Sequence, residues 1–511
     1  MGPRLGLIAA VIVAGALLLP LSAVAWRAEG WGGIRPSDWG ALWFTLWQSV
    51  FSATLSVLLA VPVARALARR AFAGRGIVVL LLGAPFILPV IVAVLGLIAV
   101  FGRSGVVNVA LGWIGVEPMS IYGWQGVIIA HVFFNMPLAT RLILQGWLSI
   151  PAERLRLAAS LGFSPSDTFR RLEWPMLRSV VPGIFLVIFL ICTTSFAVAL
   201  ALGGGPGATT VELAIYQAFR FDFDLSRAAL LGAIQLALGA GAAMVSFRFA
   251  LPSGFGAGLD RGVQRWDSQS LLLRGQDGLA IMLACAFLLL PMVLVLGDGV
   301  RHLSDLPTIA WWAALRSLII ALIAAFLTTS VALVMAQAVV MTRRGRWVEV
   351  VGTLSVAASP LVLGTGLFVI LLPFANPVAL ALPVTAFVNV VLALPFALRA
   401  LIPAVETLQA DYGRLSASLG IKGWAWARFV ALPRLRGPLG FAAGLTAALS
   451  AGDLGVIALF GAPDQATLPL VLYQLMGSYR MDEAKAAALV LVALSLGLFW
   501  LFEKGGRRAQ T

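Results

Sequence analysis

Carboxyl, imidazole and amide groups inside apolar stretches are where chemistry is to be sought in this 511-residue chain. A buried polar group is rare and costly within a membrane, so each is a functional candidate. Asp453 stands in LSAGDLGVIALFG. It could line a route and meet a cationic substrate, or it could bond to backbone through the glycine-rich stretch. His131 and Asn135 lie one helical turn apart on one helix face. They could line the same route or hold two helices together. Gln48 and Gln337 carry the same ambiguity. No catalytic set accompanies them. His131 and His302 are the only histidines, too few for a histidine metal cluster, so neither a metal nor a cofactor is expected. Cys192 and Cys285 both fall in apolar runs and read as small buried hydrophobes. There is no GxxxxGK[ST] phosphate loop. GGGP at Gly203–Pro206 lacks the following lysine and helix start, and reads as a turn.

The elements that position these residues are membrane helices. The chain is 60% hydrophobic and 11% charged, with mean hydropathy +0.98. Soluble chains carry about 25% charged residues. Twelve apolar stretches of spanning length are expected, at 5–26, 42–64, 77–101, 121–140, 179–202, 228–250, 278–297, 311–340, 347–372, 378–398, 437–460 and 486–502. The first resembles a signal peptide but is long enough to span and to stay. The net charge of +14 is no sign of nucleic acid, because the basic residues sit in short loops between spans. With the N-terminus inside, 27 of the 36 Lys and Arg fall in cytoplasmic segments. That bias predicts an even helix count with both termini cytoplasmic.

Two polar islands in this apolar chain are copies of one another. Glu153–Pro175 reads ERLRLAASLGFSPSDTFRRLEWP, and Asp411–Pro433 reads DYGRLSASLGIKGWAWARFVALP. Gly162 precedes Pro175, and Gly420 precedes Pro433, by thirteen residues. The copies are 258 residues apart. At that offset Pro137 matches Pro395, Arg141 matches Arg399, Ala159 matches Ala417, and Ser195 matches Asp453. After a one-residue slip, Tyr216 meets Tyr473. The halves therefore form a parallel repeat, with the substrate route expected at their interface. Each island predicts a short helix stopped by glycine, then an amphipathic piece ended by proline, with Ser164 and Ser166 as first-copy caps. The expected divisions are a first helix and outer loop over 1–41 and a first repeat over 42–250. A cytosolic linker over 251–277 follows, then a seventh helix and outer loop over 278–310. A second repeat covers 311–503 and a tail 504–511. Lipid contact would explain one basic amphipathic loop; docking to a soluble partner better explains two with matched spacing.

The islands resemble the EAA loop of ATP-binding-cassette importer permeases. Gly162 with Leu172, Trp174 and Pro175 fits that spacing, as does Gly420 with Val430, Leu432 and Pro433. Arg156 and Arg414 stand where that loop carries a carboxylate. HVFFNMPLATRLILQ, LGGGPGATTVELAIYQA, SAGDLGVIALFG and TLPLVLYQLMGSYR extend the likeness to the fused twelve-helix permeases of bacterial thiamine importers. The resemblance implies an all-α, polytopic inner-membrane permease of the type I importer class, built as two six-helix repeats. It implies uptake of thiamine and its phosphates. The partners implied are a periplasmic substrate-binding protein and two copies of a separate ATPase. Arg156, Ala159, Gly162, Pro175, Arg414, Ala417, Gly420 and Pro433 become the expected ATPase-docking residues. His131, Asn135, Ser195 and Asp453 are the translocation-path candidates.

Three rivals stand beside this expectation. Ferric-iron permeases share the architecture. An ion-coupled secondary transporter would need intramembrane coupling charges, and Asp453 is nearly alone. A membrane-embedded enzyme would need an acid, base or metal set.

Overall fold

The computed structural model describes residues 3–27, 35–83, 85, 87–203, 205–246, 270–355, 359–421 and 423–507. Among them there is no strand. The first half runs α1 (Pro3–Arg27), α2 (Pro36–Arg69), α3 (Arg75–Leu81), α4 (Val90–Phe101), α5 (Val106–Trp113), α6 (Trp124–Leu148), α7 (Ala152–Ser160), α8 (Pro165–Thr168), α9 (Trp174–Thr193), α10 (Ala197–Leu202), α11 (Val211–Arg220) and α12 (Leu225–Ser246). The second runs α13 (Leu271–Arg301), α14 (Thr308–Met341), α15 (Gly345–Leu354), α16 (Pro360–Leu371), α17 (Ala381–Ser418), α18 (Gly423–Trp426), α19 (Leu432–Ala451), α20 (Gly455–Phe460), α21 (Leu468–Gly477) and α22 (Met481–Arg507). Eleven helical stretches among the described residues are long and apolar enough to cross a membrane. This is the all-α polytopic architecture expected.

Every expected span has a helical counterpart, but several differ in shape. The third and ninth are each two helices, α3 with α4 and α15 with α16. Pro89 and Pro360 stand at those breaks, where a missing N–H and a clashing ring oppose a continuous helix. The Ser359 hydroxyl caps α16 by accepting from the amides of Leu361 and Val362. The seventh helix begins at Leu271, inside the expected linker, of which 251–269 lies outside the described residues. The last helix runs to Arg507, into the expected tail. The tenth continues to Ser418, because no break follows Pro403.

Most elements of the two halves correspond, although among the described residues α5 has no second-half counterpart and α6 with α7 corresponds to α17 alone. Both α2 and α14 have 34 residues. The Thr45 hydroxyl on α2 accepts from the amide of Val211, the first residue of α11, at 2.9 Å. On α14, the Ser317 hydroxyl accepts from Leu468, the first residue of α21, also at 2.9 Å. Among the described residues, the long-range ion pairs join residues that the charge rule assigns to one membrane side. Arg65–Glu173 and Arg69–Asp277 belong to one end, and Arg227–Asp38, Arg35–Asp224 and Lys485–Asp298 to the other.

The first helix of each half crosses to the other. Helix α1 packs on α14 and α16, and α13 packs on α2 and α4. Each crossing uses a glycine facing a proline. A Cβ on Gly366 would lie 2.2 Å from the Pro20 carbonyl oxygen; one on Gly96 would lie 2.9 Å from that of Pro291. Only glycine permits such approach. Residues of α9, α17 and α19 come together at a central seam.

Candidate functional site

A cavity of about 330 Å³ lies at that seam. Its walls come from both halves in matched pairs: Val90 with Pro360, Thr194 with Gly452, Ser195 with Asp453, and Ala197 with Gly455. Ser195 and Asp453 stand at the breaks between α9 and α10 and between α19 and α20. A helix break turns side chains and free backbone groups toward a lumen, which a membrane tolerates only where protein or water receives them. One carboxylate oxygen of Asp453 accepts from the Gly455 amide at 3.3 Å. The other, Oδ2, has no hydrogen-bond partner among the described residues. The carboxylate is thus partly tethered to backbone and partly available to the cavity. Asn389, Ser450, Phe196 and Phe396 complete a lining that is mostly apolar with few polar groups, the usual character of a small-molecule site.

His131 and Asn135 lie elsewhere. Both are buried where α2, α6 and α9 meet. Asn135 Nδ2 donates to the His131 carbonyl at 2.8 Å and reaches Cys192 Sγ at 3.4 Å. Ser52 Oγ is 3.4 Å from His131 Nδ1. Gln48 Nε2 donates to the Cys192 carbonyl at 3.1 Å. This is helix-joining chemistry, and Cys192 is a buried free cysteine within it. The 258-residue offset carries His131 to Asn389 and Cys192 to Ser450. There Asn389 Nδ2 donates to Ser450 Oγ at 2.9 Å, and both line the cavity. Sequence reasoning chose His131 and missed its mate, although the repeat pointed to it.

The polar islands form a second site. Gly162 and Gly420 end their helices with φ of +68° and +69°. In both copies two amides close the helix end identically. Gly162 N donates to Ala159 O and Phe163 N to Ala158 O; Gly420 N donates to Ala417 O and Ile421 N to Ser416 O. This is the Schellman arrangement. Ser164 caps α8 in a box with Asp167, and the Ser166 hydroxyl contacts Ser164 instead of capping. Proline does not end the amphipathic piece as expected. Pro175 and Pro433 each sit second in α9 and α19, after a five-residue π turn, Phe169–Glu173 or Ala427–Ala431. Each proline lies inside a continuous helical run, and the π turn before it lets the backbone ladder adjust to the missing N–H.

Arg156 and Arg414 are exposed, as are Gly162, Gly420, Pro175 and Pro433; Ala159 is half-buried and Ala417 exposed. Beside them are matched apolar residues open to solvent. Leu157 is 59% and its mate Leu415 53% exposed; Leu161 is 62% and Leu419 63%. In the first copy Arg65 Nε bonds to fully buried Glu173 at 2.7 Å, with its guanidinium 4.9 Å from the Phe169 ring. That ties the island to α2. The second copy has Ala431 at the place of Glu173.

A scan of family models gives no match. Curated relatives are closer. The chain is 41% identical to the thiamine transport system permease protein of Salmonella typhimurium over 459 residues, 88% of this chain and 85% of that protein. It is 40% identical to the Escherichia coli protein of the same name over the same shares. The Brucella abortus protein is also 40% identical, over 86% of this chain and 83% of its own length.

Proposed function

The chain belongs to the family of thiamine transport system permease proteins, and on that footing we propose that it is the membrane-spanning subunit of an ATP-driven importer. It carries thiamine and thiamine phosphates across a bacterial inner membrane. The observation that carries the reading is the seam cavity, lined by equivalent residues of both halves and bearing one carboxylate, Asp453. A cationic thiazolium ring suits a carboxylate beside the aromatic faces of Phe196 and Phe396. A cavity on the repeat interface can open to either side as the halves rock.

The ATPase is a separate protein in two copies, one for each island. Matched exposed leucines on rigid, capped helix ends support docking into an apolar groove. Arg156 and Arg414 meet that partner in place of the family loop's carboxylate. A periplasmic binding protein delivers the substrate, and both termini lie in the cytoplasm. ATP and the loaded binding protein supply the differential affinity that moves the cavity between its states.

The test is uptake into proteoliposomes holding this chain, its ATPase and its binding protein. Labelled thiamine should accumulate only with ATP and all three proteins. Accumulation of ferric iron instead would move the chain to the iron permeases. Uptake driven by an ion gradient without the ATPase would make it a secondary transporter.

A further inference from the structure

We propose that the pocket where α2 ends against α13 binds the phosphodiester of an anionic membrane lipid. The pocket has a volume of about 510 Å³. Arg69, Arg70, Phe72, Arg274, Asp277 and Met282 line it. Asp277 is shared: Arg69 Nη2 bonds one oxygen at 2.7 Å and Arg70 Nε the other at 2.8 Å. Arg274 is exposed one turn before Asp277 on α13. Among the described residues, three guanidiniums thus line the pocket with one carboxylate.

Arg69 points to the class of ligand. Its side chain is only 3% exposed, yet among the described residues its Nε and Nη1 have no hydrogen-bond partner. Buried donors without acceptors are costly, and charged ones more so. A phosphate oxygen entering the pocket would accept from them, and guanidinium geometry suits that anion. The position favours a lipid as its source. Arg274 and Asp277 begin α13, whose next turns present exposed Leu279, Met282 and Leu283. Phe72 is also exposed. The pocket thus spans a polar-to-apolar boundary, as a headgroup and its acyl chains require. The repeat does not duplicate it. Met341 and Thr342 occupy the ends of α14 where Arg69 and Arg70 end α2, so one site per chain is expected.

The test is native mass spectrometry of the full chain released from nanodiscs of mixed phosphatidylcholine and phosphatidylglycerol. One phosphatidylglycerol should be retained per chain in preference to phosphatidylcholine. Arg274→Gln touches no ion pair in the structure and should lower that retention about fivefold, the usual effect of one arginine near an anionic surface. Arg344→Gln, in the loop after α14, should leave it unchanged. Equal retention of both lipids would overturn the proposal, as would an Arg274→Gln chain that holds the lipid like the parent. Displacement of the lipid by excess inorganic phosphate would make this a site for free phosphate instead.

Discussion

Gly366 approaches the backbone of Pro20 so closely that a single added carbon would stand 2.2 Å from the proline carbonyl oxygen. The equivalent Gly96 meets Pro291 at 2.9 Å, with the flexible end of Met292 beside it. Gly366→Ala must push backbone against backbone, whereas Gly96→Ala can partly displace a methionine. Overpacking of this kind costs about 1–3 kcal/mol. Gly366→Ala should lower the thermal midpoint in detergent more than Gly96→Ala. The reverse order would mean that the two crossings are not built as described.

The left-handed glycines allow a graded test of the islands. Nothing lies within 4 Å of a Cβ at Gly162 or Gly420, so substitution there acts through backbone conformation alone. Alanine in that region costs roughly 1–2 kcal/mol, and asparagine less. Substrate-stimulated ATP hydrolysis by the assembled importer should fall in the order Gly, Asn, Ala, Val at either position, with membrane insertion intact. Full stimulation in both valine variants would remove the coupling role.

Asp453→Asn keeps the shape of the cavity and removes its carboxylate charge. A hydrogen bond to a charged group is worth about 1.5–3 kcal/mol. Thiamine uptake below saturation should therefore drop roughly tenfold or more, by the usual conversion of free energy to affinity. Ser195→Ala should change it little. Wild-type uptake by Asp453→Asn would leave Asp453 as a backbone tether to Gly455.

The Arg65–Glu173 pair predicts a rescue. Removing one partner of a buried pair costs about 3–5 kcal/mol, reduced here because Arg65 is 22% exposed. Glu173→Ala should destabilise the chain and loosen the first island. Adding Arg65→Gln reproduces the second half, where Gln337 and Ala431 hold these places. The double variant should recover most of the lost stability, measured as a double-mutant cycle. Purely additive losses would argue against the pair.

Much of this architecture is legible in the sequence because membrane helices announce themselves by length and apolarity, and the 258-residue offset locates the islands and their glycines. Breaks within helices are harder to read. Proline marks a break at Pro360 yet is carried through a continuous helical run at Pro175, where a π turn precedes it and lets the backbone adjust to the missing N–H. Asp453 is found by its chemistry and Ser195 by the offset, and the structure brings them to one cavity. His131 is drawn in by its chemistry alone, although it bonds within its own half. Asn389 is passed over because an amide among apolar residues carries little signal until its neighbour Ser450 is known. Leu157 and Leu161 look like core residues in sequence. Their exposure is what makes them candidates for the proposed docking face.

The crossed first helices also set an order of assembly. Helix α1 leaves the ribosome well before α14 and α16, on which much of its packing surface lies. Those helices are made roughly three hundred residues later. Until then α1 must wait in lipid with Gly366 absent from beside Pro20. The first half cannot finish folding as a unit during synthesis, and α1 finds its seat only after α14 and α16 are made. The two halves are thus clasped like linked hands, and a chain cut between Ser246 and Leu271 should still yield a joined pair.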